Sequence, residues 1–175
     1  MMDASNKKYK NWNDLLYYCK FSANPVGRFV IDAVNERKNI EKIYEASDSL
    51  CTALQIINHI QDCKKDFKEL NRVYIPESFF KKYSVDKKIL RKSKSIENFE
   101  RLKIEIVDNV LVSLRKTKLG LREIQSWRLR KETLIILNIA KRLCNLLKIN
   151  DPLEKQIKLS RIDFIFCFFK GIMYD

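Results

Sequence analysis

Three glycines, three prolines and a single histidine are all that 175 residues contain of those types. So few backbone breakers leave little material for hairpins and tight turns, and they favour long helices. One histidine, with no paired cysteines nearby, excludes an ordinary zinc site. The five cysteines, Cys19, Cys51, Cys63, Cys144 and Cys167, are odd in number and none has C-x-x-C spacing. That excludes a disulfide framework and points to reduced thiols in a cytoplasmic setting. The opening MMDASNKKYKNWND lacks the apolar run of a secretory leader. The most apolar stretch, residues 162–173, falls short of the roughly 20 residues that cross a bilayer. It is expected to form a buried or surface-docking terminal helix.

What the chain does have is core material and positive charge. Hydrophobic residues make up 46% of it, enough to make disorder the wrong expectation. The net charge of +13 favours anionic partners: nucleic acid, acidic lipid surfaces or phosphorylated small molecules. Most lysines read as a solvated surface. Apolar periodicity predicts helices over residues 11–24, 26–34, 40–71, 96–120, 126–148 and 160–173. Pro25 is expected to kink or break the chain after Asn24. Gly120 is expected to be a C-cap, and residues 84–94 a basic loop with partial helix. No repeat, linker or strand alternation stands out, so the fold class is all-α.

The informative stretch is SDSLCTALQIINHIQDCKKDFKELNRVYIP, residues 47–76. At about 100° per residue, Asp48, Gln55, Asn58, Asp62 and Asp66 share one helical stripe. A solvated face would be rich in lysine and glutamate, whereas this stripe is amide and carboxylate. His59 lies beside the stripe, where a rim or packing role is expected rather than a ligand. Asp62 and Asp66, one turn apart, place two like charges about 5–6 Å apart at Cβ, an arrangement that invites a cation. Mg²⁺ suits it, being commonly held by one or two carboxylates together with water and phosphate oxygens.

QIINHIQDCKKDFKELNRVYIP resembles the second aspartate-rich motif of squalene and phytoene synthases, Q-x-x-N-x-x-x-D-x-x-x-D followed by R-x-Y-x-P. Gln55, Asn58, Asp62, Asp66, Arg72, Tyr74 and Pro76 occupy its fixed positions. Upstream, YCKFSANPVGR (residues 18–28) resembles the family's Tyr-Cys helix and kinked segment. Its S-A-N-P-V-G-R form is most like the hydroxysqualene synthase branch. KQIKLSRIDF, residues 155–164, resembles the family's closing segment.

The resemblance implies an isoprenoid-synthase helical bundle. It implies Mg²⁺ on Asp62 and Asp66, and a prenyl diphosphate substrate held by Gln55, Asn58, Arg72, Tyr74, Ser22 and Val26. Tyr18 would face the reacting carbons. The implied reaction turns presqualene diphosphate and water into hydroxysqualene and diphosphate. Head-to-head condensation of two prenyl diphosphates, or a non-catalytic binding role, are the alternatives. The family also carries a first aspartate-rich motif on helices upstream of the Tyr-Cys helix, and no such motif precedes Tyr18 here. Residues 1–175 are therefore expected to be one partial domain, the C-terminal half of the bundle. A separate chain would supply the other half, or this one is a remnant. Alone it is expected to be silent, with an exposed apolar face that includes Tyr18, Val26, Leu54 and Ile57. The basic clusters at residues 81–94 lack interleaved aromatics, so nucleic acid is not expected. A peripheral membrane contact is, given lipid substrates.

Overall fold

The structure, a computed structural model, describes residues 8–173, apart from the side chain of residue 116. The elements are α1 (Trp12–Ser22), α2 (Asn24–Ala33), α3 (Ile40–Gln61), α4 (Cys63–Leu70), α5 (Glu77–Lys82), a 3₁₀ turn (Lys87–Arg91), α6 (Glu97–Leu121), α7 (Trp127–Ile149) and α8 (Arg161–Met173). No strand occurs among the described residues, and the fold class is all-α as the sequence implies.

Side-chain caps open three of the helices. The Asn11 side chain accepts the Asp14 N–H at 3.1 Å, opening α1. Ser126 opens α7, with its hydroxyl accepting the Leu129 N–H at 3.4 Å. At α8, Ser160 and Asp163 cap each other reciprocally, at 3.0 and 3.1 Å. The break predicted at Pro25 falls at Ala23, and Pro25 sits in the first turn of α2, where its missing N–H costs nothing.

The central element is α3, packed against α1, α2, α6 and α7. It sends Ile43, Leu50, Ala53, Ile56, Ile57 and Ile60 into the core. Two glycines set how closely neighbours approach it. A Cβ at Gly27 would stand 2.3 Å from Ser47 Oγ, and one at Gly120 would stand 2.6 Å from Ala46 Cβ. Gly120 is thus no C-cap: α6 runs one residue past it, and no glycine among the described residues has positive φ. Its role is contact between α6 and α3.

Buried charges staple the periphery. The Glu36 carboxylate, 3% exposed, accepts the backbone N–H groups of Gln125 (3.0 Å) and Ser126 (2.6 Å), at the start of α7. Lys103, fully buried, donates to Glu100 Oε2 and to the Asn150 carbonyl, both at 2.6 Å. The cysteines are free thiols, and burial pushes Cys19, Cys63 and Cys144 up to about 12, which leaves them unreactive.

The long helix expected over residues 40–71 needs correction. It is two helices that meet at Asp62, whose φ of −101° and ψ of 8° leave the helical basin. The apolar period carries through this single-residue break, so periodicity could not detect it.

Candidate functional site

The break at Asp62 preserves the one-turn spacing around it. Asp62 N–H donates to the Asn58 carbonyl at 2.9 Å, and Asp66 N–H donates to the Asp62 carbonyl at 2.8 Å. Asn71 then ends α4 in the left-handed region, φ 51°, which asparagine tolerates better than most residues. That turn folds the chain back, so that Arg72 N–H reaches the Asp66 carbonyl at 3.1 Å. The arginine and tyrosine of the R-x-Y-x-P segment thereby arrive beside the aspartates.

Partial burial raises the Asp66 carboxyl above the usual carboxylate range, and the Asp62 charge adds to this, with Lys65 and Arg72 opposing. A second carboxylate one turn away that disfavours the ionised form of Asp66 suits a cation between the two. Among the described residues no group of three or more His, Cys, Asp or Glu side chains could enclose a metal. The donor set therefore fits an ion such as Mg²⁺, which keeps water and substrate oxygens in its sphere, and does not fit a closed protein cage.

Behind the aspartates lies an aromatic cluster. The His59 ring stacks on Tyr74 with centroids 3.6 Å apart and planes 7° apart. Tyr18 sits 6.0 Å from His59 and 5.9 Å from Tyr74. Tyr9 closes the group, edge-on to Tyr18 at 5.5 Å and stacked on Tyr74 at 5.9 Å. Backbone bonds hold Tyr9 there: its carbonyl accepts the Glu77 N–H at 2.8 Å, and the Lys10 carbonyl accepts the Ser78 N–H at 3.0 Å.

Burial drives the His59 pKa down to about 3, so the imidazole is neutral at physiological pH. Gln55 Nε2 lies 3.2 Å from His59 Nε2. A donating amide makes that ring nitrogen the acceptor and leaves the hydrogen on Nδ1, which is buried without a partner. Burial raises the Tyr18 phenol, with Tyr74 adding to the effect and the Ser22 hydroxyl working against it. The Tyr74 hydroxyl beside Arg72 raises the guanidinium in turn.

The kinked segment is fastened to α3 at its polar positions. Asn24, 7% exposed, meets Thr52 Oγ1 at 2.9 Å. With its amide nitrogen facing inward, it also donates to the carbonyls of Asp48 (3.2 Å) and Cys19 (3.3 Å). Asp48 belongs to the predicted polar stripe, yet Arg28 holds it in a two-point pair at 3.0 and 2.6 Å.

The structure thus brings together Tyr18, Gln55, Tyr74 and Arg72 with Asp62 and Asp66. Asn58 and Ser22 are exposed, and Val26 is 64% exposed. Of the apolar face expected in solvent, only Val26 is exposed. Tyr18 and Leu54 are half-buried, and Ile57, at 2%, lies in the core because α3 points it inward. Apolar side chains exposed on α1, on α2 and just after it are instead Tyr17, Phe21, Phe29, Val30 and Val34. Tyr9 carries no signal in the sequence, since it precedes the first helix and belongs to no motif. Tyr74 is the ring common to the stack, and His59, expected at a rim or in packing, packs against it and Tyr18, four residues from Gln55.

The family model described as squalene/phytoene synthase matches residues 1–163. The hydroxysqualene synthase of Sinorhizobium fredii is 35% identical over 164 residues, which cover 94% of this chain and 55% of that protein. The hydroxysqualene synthase of Zymomonas mobilis is 37% identical over 156 residues, 89% of this chain and 51% of that protein. The chain therefore spans about half the length of these curated relatives. Its fold is similar to that of a dehydrosqualene synthase crystallised with a ligand, with TM-score 0.85 and 16% identity over 96% of this chain and 59% of that one. With its aspartate turn and its R-x-Y-x-P segment on one wall, and the family match running through nearly all its length, the chain belongs to the squalene/phytoene synthase family.

Proposed function

We propose that this chain carries one wall of an isoprenoid-forming site that converts presqualene diphosphate and water to hydroxysqualene and diphosphate. The observation that carries the reading is the meeting of the Asp62–Asp66 turn with the Tyr18–His59–Tyr74 stack, with Arg72 between the two kinds of group. Asp62 and Asp66 would hold Mg²⁺, which when bound offsets the charge that develops on a departing diphosphate. Arg72 supplies a fixed positive charge for the same oxygens and is oriented by Tyr74. When the carbon–oxygen bond breaks, its electron pair leaves with the diphosphate and the carbon skeleton becomes cationic. The ring faces of Tyr18, Tyr74 and His59 suit that cation. A protonated imidazole would repel it, and burial keeps His59 neutral. Water then adds to the cation and loses a proton, giving the alcohol. Because the chain spans about half the length of its relatives, we propose that a facing wall, on a separate chain or on the remainder of a longer one, completes the cavity.

The test is to combine the purified chain with a candidate complementary half, supply presqualene diphosphate and Mg²⁺, and analyse the lipid products. Hydroxysqualene with stoichiometric diphosphate is the expected result. Squalene or phytoene formed from simpler prenyl diphosphates would favour the condensing reading. No product with any partner would favour a binding role, and steady turnover by the chain alone would overturn the need for a second wall.

A further inference from the structure

His59 is a poor choice for a residue that only packs. It is 5% exposed, its ring stacks on Tyr74 with centroids 3.6 Å apart, and its Nδ1 is buried without a partner. A buried polar atom left unpaired costs about 1–3 kcal/mol, whereas phenylalanine would fill the same space against Tyr74 and bury no polar atom. What phenylalanine would lack is the other ring nitrogen. Nε2 lies 3.2 Å from Gln55 Nε2, one helical turn away, and this is the ring's only hydrogen bond among the described residues.

The surroundings fix what that bond can do. Tyr74 lies parallel to the imidazole, with 7° between the planes, and Tyr18 flanks it at 6.0 Å, so Nε2 is held in place as an acceptor. Burial keeps the ring neutral, with one nitrogen to donate and one to accept. With the Gln55 NH₂ group donating to Nε2, the Gln55 carbonyl oxygen is turned away from the ring. Gln55 is half-buried, and its Oε1 takes no donor among the described residues and is not one of their enclosed, unpaired atoms. An accepting oxygen is therefore open to whatever enters the site. Gln55 shares the stripe of Asp62 and Asp66, set back from Asp62 by about two turns of α3. That places its amide away from the carboxylates and against one of the rings that suit a cation.

We propose that His59 is a positioning residue: it holds Gln55 so that Oε1 accepts a hydrogen from the water that adds to the cation, and the pair thereby sets alcohol against hydrocarbon as the product. This rests on the proposed function. The water lone pair forms the new carbon–oxygen bond, the charge passes to that oxygen, and its proton goes to an oxygen of the released diphosphate. Gln55 stays neutral throughout. The competing outcome is loss of a proton from a neighbouring carbon to the same diphosphate, which gives an alkene.

Two readouts test this. The first is nitrogen NMR of the full chain with isotope-labelled histidine. His59 is the only histidine, so its ring nitrogens are assigned without ambiguity. At neutral pH the hydrogen is expected on Nδ1, and Gln55→Met, which keeps the length and removes the amide, should abolish that preference. A hydrogen on Nε2 would turn the Gln55 amide around and overturn the inference, and so would a ring indifferent to Gln55→Met. The second is the ratio of alcohol to alkene, scored per diphosphate released, in the assembly of the chain with its complementary half. His59→Phe keeps a ring and removes the acceptor, and should lower that ratio about tenfold, the scale of one lost hydrogen bond. Gln55→Met should do the same from the other end of the bond. His59→Gln, which offers a carbonyl oxygen near the place of Nε2 but no ring, should recover part of the alcohol. A ratio unchanged by His59→Phe and Gln55→Met would overturn the inference and leave the proposed function standing, because hydroxysqualene and diphosphate would still form. A wild-type assembly that releases no diphosphate or forms no hydroxysqualene would instead sink the proposed function, and the water role with it.

Discussion

Around Asp62 the chain takes polar groups out of water with few protein partners, whereas along α8 it leaves large apolar groups mostly in water. His59 is 5% exposed with one ring nitrogen unpaired, and Phe166 is 67% exposed. Each choice costs stability on its own: an unpaired buried polar atom about 1–3 kcal/mol, a phenylalanine left in solvent roughly 1.5–3 kcal/mol of forgone burial. The costs differ in what relieves them. On the proposed function the aspartate wall would be relieved by a cation and by ligand oxygens, which would make its residue types and spacing narrow. The α8 face is relieved by any apolar medium, so its residues are interchangeable provided they stay large. Substitution should therefore behave differently in the two regions.

The largest effect is expected at the wall. Asp62→Asn or Asp66→Asn in an active assembly should lower Mg²⁺-dependent turnover by about 10²-fold or more, the scale of removing one electrostatic contact to a transition state. The melting temperature should hold or rise, since one of two repelling charges is gone. Turnover measured at limiting Mg²⁺, with a melting curve for each variant, checks both halves. Unchanged turnover would remove the metal role and erase the contrast with α8.

Next comes His59. His59→Ala should cost about 3 kcal/mol by leaving a cavity against Tyr74, whereas His59→Phe should keep most of the packing. The wild-type histidine also ties stability to pH. Its folded pKa, about 3, lies below the unfolded value near 6.5, so the unfolded chain binds the proton more readily between the two. The contribution of neutral His59 is fully present above about pH 6.5 and is lost progressively as pH falls toward 3. The total is at most a few kcal/mol. Urea melts from about pH 7 to about pH 4 should show a falling midpoint that is shallower in His59→Phe. Equal slopes would mean that the ring is less buried than its stacking on Tyr74 indicates.

The hairpin of α7 and α8 has its own narrow point. Gly171→Ala would drive a Cβ to within 2.8 Å of the Ile135 backbone, and overpacking there should cost about 1–3 kcal/mol. Chemical denaturation would read this directly. A neutral result would show that α8 can slide on α7, and that only its exposed face matters. At the small end, Phe166→Ser should change stability by no more than about 0.5 kcal/mol, as at other exposed positions. A larger loss would mean that Phe166 is packed, and the two regions would then be less different than their exposures suggest.

Part of the wall is legible in the amino-acid sequence. Helical period puts Gln55, Asn58, Asp62 and Asp66 on one stripe with Arg72, Tyr74 and Pro76 following, and the structure keeps the one-turn spacing of Asp62 and Asp66 while leaving Asn58 exposed. What is not legible depends on contacts distant in sequence. Tyr9 joins the stack only because residues 9 and 10 bond the backbone at 77 and 78. Glu36 caps α7 from nearly ninety residues away. Gly120 resembles a helix terminator, and only the close approach of α3 reveals its actual role.

By itself, then, the sequence determined an all-helical chain, the places where most helices begin, and a pair of aspartates one turn apart, because these depend on residues within a turn or two of one another. Tertiary structure alone decided that Asp48 is occupied by Arg28, that Ile57 points into the core, and that His59 is neutral beneath Tyr74. Pairing and burial depend on which helix lies opposite, and a side chain's pKa follows from the groups and the water around it after the helices have packed.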